Sequence, residues 1–188
     1  MKKRCAWVPV DNELYVQYHD TEWGVPVHDD QVWFEFLVLE GAQAGLSWLT
    51  ILKRREGYRA CFADFDPTKV ATFTETDIQR LMEDERIIRN QLKIRATVQN
   101  AQCFLEVQKE FGSFDAYMWK WVGGKPLQNT WKENGEVPAV TPLAEQISKD
   151  LKKRGFKFVG PTIIYAHMQA TGLVNDHLVE CFRYKILI

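Results

Sequence analysis

The spacing of apolar and polar positions predicts helices along nearly the whole chain. Ile94, Val98, Ala101 and Leu105 recur at helical spacing, giving one apolar face to a long helix that follows a bend at residues 85–90. Earlier, the apolar run Val32–Val38 leads into Leu39-Glu40, and a second run, Leu49–Leu52, opens with Ser47-Trp48. Gly41, Ala42, Ala44 and Gly45 fill the space between them. Residues whose side chains accept from free backbone N–H groups mark helix starts: Asp11 or Asn12 before Glu13–His19, and Asp29-Asp30 before the helix that ends near Glu40. A further helix is predicted from about Ser47 to Arg55, with short ones starting at Asp66-Pro67-Thr68 and at Thr76-Asp77. Phe114–Val122 reads as a short buried aromatic helix, and helices resume at Pro142–Arg154 and Pro161–Thr171. The one long loop region, 123–142, is rich in Gly and Pro, and loops of that length in compact domains are often functional. The expectation is an all-α fold in a single domain over residues 1–188.

Composition narrows the class. The chain has 188 residues, 46% hydrophobic and 26% charged, as in ordinary globular proteins that bury a sizeable core. A formal charge of -1 excludes a histone-like polycation but leaves room for a local basic face. No apolar run approaches the roughly 18 residues that span a bilayer, and no apolar signal core follows the basic N-terminus, so a cytoplasmic location without a membrane partner is expected. Four Cys (Cys5, Cys61, Cys103, Cys181) show no disulfide-framework spacing, and Cys61 and Cys103 sit among apolar neighbours as inert thiols.

Three groups of residues carry candidate chemistry. Glu40 is costly to bury unless something pairs with it. It shares the first quarter of the chain with Trp7, Tyr15, Tyr18, Trp23 and Trp48. The cluster reads either as a tight helix junction with core aromatics or as a stacking pocket. His177 and Cys181 are four apart, which on a helix puts both on one face, and Cys5 and His19 supply a second pair. Together they form either a Cys2His2 zinc site or a set of core thiols and histidines. Basic residues concentrate at Arg86-Ile87-Ile88-Arg89-Asn90-Gln91-Leu92-Lys93-Ile94-Arg95, at a bend opening into a helix, and again around Lys149–Lys157. Each is a solvated face or, at the helix N-terminus, a phosphate contact.

Long ordered segments give the chain a family. CAWV at Cys5–Val8, YHDTEWGVP at Tyr18–Pro26, LEGAQAGLSW at Leu39–Trp48, YRACFADFDP at Tyr58–Pro67 and the run Leu151–His177 resemble the 3-methyladenine DNA glycosylase I family, a divergent helix-hairpin-helix group, over essentially all 188 residues. The resemblance implies a helical hairpin fold, excision of 3-methyladenine from alkylated double-stranded DNA, and one structural zinc. It places the zinc on Cys5, His19, His177 and Cys181, joining segments 1–25 and 172–188. It places Glu40, Tyr18 and Trp48 in the base pocket, with Trp7 and Trp23 beside them. Independently of the resemblance, the basic cluster at the bend makes Arg86, Arg89 and Lys93 the expected contacts to the DNA backbone. A monomer is expected.

The chemistry of such a pocket suits these residue types. Methylation at N3 makes the adenine cationic, so the glycosidic bond is weakened in advance. The base must be unstacked and held. A desolvated cation over the Trp48 face gains about 2 kcal/mol, and a Glu40 carboxylate accepts from the exocyclic amine. No aspartate follows the bend, as is typical of the group the chain resembles, and no lysine is placed as a Schiff-base nucleophile; the missing lysine points to a monofunctional enzyme. Arg86 and Leu92 stand where such hairpins favour glycine. His167 reads as a hydrogen-bonded core histidine. The competing reading is a non-catalytic, zinc-stapled binder of nucleobases or damaged DNA.

Overall fold

The computed structural model describes residues 2–187. Nine α-helices are present among them: α1 Glu13–Thr21, α2 Asp30–Gln43, α3 Trp48–Cys61, α4 Pro67–Val70, α5 Glu75–Glu83, α6 Gln91–Phe111, α7 Phe114–Trp119, α8 Pro142–Lys153 and α9 Pro161–Ala170. Most begin where a side chain satisfies free N–H groups. Asn12 accepts from Tyr15, Asp29 from Val32, Ser47 from Thr50 and Asn90 from Lys93.

Helix α2 is the central element. Trp33 through Ala42 are buried without interruption, as required of a helix that is apolar on every face. It packs against α3, α6, α7 and α9. One buried charge is compensated within this core: Glu35 accepts from Arg55 at 2.7 Å and Arg59 at 2.8 Å, and Arg55 reaches Glu22 at 2.8 Å. That pairing fixes α2 and α3 to the turn after α1.

The structure departs from the sequence expectation in two places. The region after α7 carries a short strand, β1 Leu127–Gln128, parallel to β2 Val174–Asn175 with Leu127 opposite Val174. The segment from His177 to Cys181 is a turn and not a helix. The chain turns back on itself there, the Cys181 N–H donating to the Leu178 carbonyl at 2.7 Å.

The bend between α5 and α6 needs no glycine, because no residue from 84 to 92 has a positive φ. Helix α3 holds it instead. The Ile88 N–H donates to the Tyr58 hydroxyl at 3.2 Å, and Arg54 donates to the carbonyls of Glu85 and Ile87. The glycine that matters sits on α3: a Cβ on Gly57 would lie 2.3 Å from the Arg86 carbonyl oxygen. A bare backbone is what lets the turn come this close.

Candidate active site

Glu40 lies in the last turn of α2, and Trp48 is the first residue of α3. The four-residue connection folds both toward α1, which contributes Tyr18. A cavity of about 340 Å³ opens between them, with Trp7, Trp23, Tyr15 and Gln43 on the same wall. The Tyr18 and Trp48 rings lie 5.4 Å apart, inclined at 49°. Trp7 meets the Trp23 ring edge-on at 4.9 Å and Tyr15 at 5.6 Å. The five pocket residues expected from the sequence are therefore brought together.

Glu40 is 5% exposed, and no hydrogen bond or ion pair to it occurs among the described residues. Burial pushes its carboxyl up to about 8. The sequence expectation is a carboxylate, whereas burial in the cavity favours the protonated acid. Burial and the nearby Glu40 also raise Tyr18 well above the ordinary phenol value. The Trp48 indole N–H is buried with no acceptor. The cavity thus offers aromatic surface from Tyr18 and Trp48, and, among the described residues, a carboxyl without a partner and a buried indole donor without one. Such a site takes a planar heterocycle, and a cationic one would draw the proton off Glu40.

Sequence reasoning missed the opposite wall. Gln169 of α9, Asp176 and Leu178 after β2, and Asn134 and Val137 of the long loop line the same cavity. Loop length was the only local signal for the last two.

Behind the aromatic wall lies a second cluster. Donor atoms of Cys5, His19 and Cys181, all buried, fall within 4.8 Å of one another. The His19 ring sits 5.1 Å from that of His177. His177 Nδ1 is turned to Asn175 Oδ1 at 3.0 Å, which leaves a buried Nε2 with no partner. The other ring nitrogen of His19 meets Asp20 at 2.8 Å, and Arg4 clamps Asp20 with two bonds of 2.8 and 2.7 Å. Carboxylate and amide partners on the far nitrogen are the arrangement that orients a metal-binding imidazole. The hydrogen bond from the Cys5 thiol, helped by His19, holds the Cys181 thiol well below its ordinary value. Gly24 makes room for the cluster, since a Cβ there would lie 2.7 Å from the His177 ring. Cys5, His19 and Cys181 are brought together as metal ligands would be; His177, the fourth residue expected from the sequence, stands beside this group with its ring against that of His19 and is not within it.

The expected phosphate contacts differ among themselves. Arg86 and Arg89 are exposed, Arg86 pairing with Asp84 at 2.7 Å. Lys93 is engaged inside the protein: its ammonium donates to the carbonyls of Ala42 at 2.9 Å and Ala44 at 2.6 Å, and burial lowers its pKa. The Asn90 cap and the first turn of α6 leave backbone N–H groups at the same tip.

A helical scaffold that buries a carboxyl among aromatic side chains and carries exposed Arg86 and Arg89 on a turn has the features of a base-excising protein. Residues 7–184 match the methyladenine glycosylase family, and the chain belongs to that family. It is 50% identical over 182 residues to DNA-3-methyladenine glycosylase 1 of Escherichia coli, covering 97% of each chain. A crystal structure of 3-methyladenine DNA glycosylase I superposes with a TM-score of 0.93 at 48% identity, over 96% of this chain and 98% of the other. The Staphylococcus aureus enzyme, solved to explain its recognition of 3-methyladenine, gives 0.92 at 41% identity over 95% of each.

Proposed function

We infer that this protein hydrolyses the N-glycosidic bond of 3-methyladenine in alkylated DNA, the first step of base-excision repair. The observation that carries the reading is Glu40, buried and without a partner among the described residues, lining one cavity with Tyr18 and Trp48. A buried carboxyl that nothing compensates is expensive unless a ligand completes it. The cationic N3-methylated base completes it. It stacks on Trp48 and its charge makes the ionised form of Glu40 the favoured one, so that the exocyclic amine donates to the carboxylate. Neutral adenine brings no charge and leaves Glu40 protonated, which supplies selectivity without a strong general acid. Tyr18 adds a hydroxyl and a wall, and Trp7 and Trp23 back the slot.

Zinc held by Cys5, His19, His177 and Cys181 would supply structural cross-linking and no chemistry of its own. The donor set and its outer partners support that role. The residues themselves tie the N-terminal segment to the turn after β2, directly behind Trp7 and Trp23. Duplex DNA would meet the α5–α6 turn through Arg86, Arg89 and the N–H groups opening α6, acting as a monomer. Lys93 serves this contact by holding the end of α2.

Methylated duplex DNA incubated with the protein should release free 3-methyladenine and leave unbroken strands carrying abasic sites. Binding without release would overturn the enzymatic reading, and strand cleavage without added base would overturn the monofunctional one.

A further inference from the structure

Asp176 lines the Glu40 cavity, is 2% exposed and has no part in the roles above. Every acceptor position on its carboxylate is filled. One oxygen accepts from the Asn129 amide at 2.7 Å and the Trp131 indole N–H at 2.8 Å. The other accepts from the Gln169 amide at 2.9 Å and from the Tyr165 hydroxyl. A carboxylate has about four lone-pair sites, so none remains for a substrate. Asp176 therefore acts by holding other groups, in contrast to Glu40, which accepts from none of them.

What it holds is the long loop. Beyond the β1–β2 pair, the Trp131 carbonyl accepts from Val179 at 2.9 Å. The next residues form a self-contained turn, with Glu136 accepting from the N–H groups of Lys132 at 2.7 Å and Glu133 at 3.4 Å. Asn134 and Val137 of this turn reach the cavity. Among the described residues, no hydrogen bond or ion pair joins residues 132–137 to the remainder of the chain. The turn hangs from Asn129 and Trp131, and those two are fastened to Asp176.

We propose that Asp176 is a positioning residue of the base pocket: by clamping Asn129 and Trp131 it makes the 132–137 turn the outer wall of the cavity, and so sets how tightly and how selectively the pocket takes its base. This rests on the reading of the cavity as the base pocket.

Two variants test it. Asp176→Asn keeps the volume but turns an amide donor toward neighbours that are themselves donors. Trp131→Phe deletes one N–H and keeps the ring. Free 3-methyladenine and the bulkier 7-methylguanine serve as probes by calorimetry, with hydrogen exchange followed along the chain. Both variants should fold with wild-type metal content, and exchange should rise within 129–137. Affinity for 3-methyladenine should fall about tenfold in Asp176→Asn, and less in Trp131→Phe. Preference over 7-methylguanine should narrow, and KM should rise more than kcat falls. Faster loop exchange with unchanged affinity and preference would overturn the proposal, as would unchanged exchange in the loop. If Asp176→Asn does not fold, Trp131→Phe decides by the same criteria. A wild type that neither binds nor releases 3-methyladenine overturns the pocket reading itself, which the variants alone cannot do.

Discussion

Lys93 binds the end of α2: its ammonium lies 2.9 Å from the Ala42 carbonyl oxygen, two residues past Glu40. A cation on unsatisfied C-terminal carbonyls stabilises a helix end. Here it also joins the first turn of α6, which follows the exposed α5–α6 turn, to the connection that leads into Trp48.

The two basic residues at this tip should therefore behave differently. Arg89→Ala should weaken binding to all duplexes and reduce the salt slope by about 1. Lys93→Met should leave the slope unchanged while costing about 1.5–3 kcal/mol of stability and slowing base release. Salt titrations of binding and thermal melts separate the two. A reduced slope for Lys93→Met would return it to the phosphates.

Glu40 predicts a pH dependence. Its folded value near 8 lies above the ordinary 4.5, so the native state binds this proton more tightly than the unfolded chain. The stabilising effect is full below about 4.5 and is lost progressively as pH rises through about 8. Glu40→Gln has no such loss and should exceed wild type at pH 9, relative to pH 5, by on the order of 2–5 kcal/mol in denaturant titrations. In the wild type, kcat/KM for base release should climb with pH toward about 8 and then level, reporting the free-enzyme carboxyl. A wild-type stability difference that tracks the glutamine variant across this range would contradict the buried, uncompensated acid.

Gly57 predicts a packing defect. Gly57→Ala would push its methyl into the Arg86 backbone, displace the α5–α6 turn and cost about 1–3 kcal/mol. DNA affinity should fall while affinity for free 3-methyladenine stays near wild type, as fluorescence titrations with each ligand would reveal.

Metal analysis should find one zinc per chain, and chelation should lower Tm by several degrees. Cys181→Ser should lose most of the metal and loosen the Trp7–Trp23 wall, lowering base affinity. Full metal content in that variant would remove Cys181 from the ligand set.

Much of this architecture was legible locally. Asn12 and Asp29, which the sequence offers as caps, do cap their helices by hydrogen bonds spanning three residues, and Ser47 and Asn90 act the same way. The burial of α2 followed from its nearly continuous apolar run, which only Glu35 interrupts. Glu40 and Trp48 were visible because a charge and a large aromatic flanked a stretch of small residues. The rest depends on distant contacts. Asp176 is defined by Asn129 and Trp131, more than forty positions away, and the 132–137 turn has no composition that marks it as a pocket wall. The His177–Cys181 spacing suggested a helix, yet Cys5 and His19 meet those residues through a turn. Lys93 looked like a surface cation because nothing local reveals the carbonyls it reaches. The protonation of Glu40 is a property of the assembled cavity.

The most direct measurement is the single-turnover rate of 3-methyladenine release from methylated duplex DNA by wild type, Glu40→Gln and Trp48→Ala, each first shown to be folded and zinc-loaded. The account predicts release by the wild type and a loss of about 2 kcal/mol in transition-state stabilisation, some thirtyfold in rate, for each variant. Wild-type rates in either variant would contradict the pocket described here.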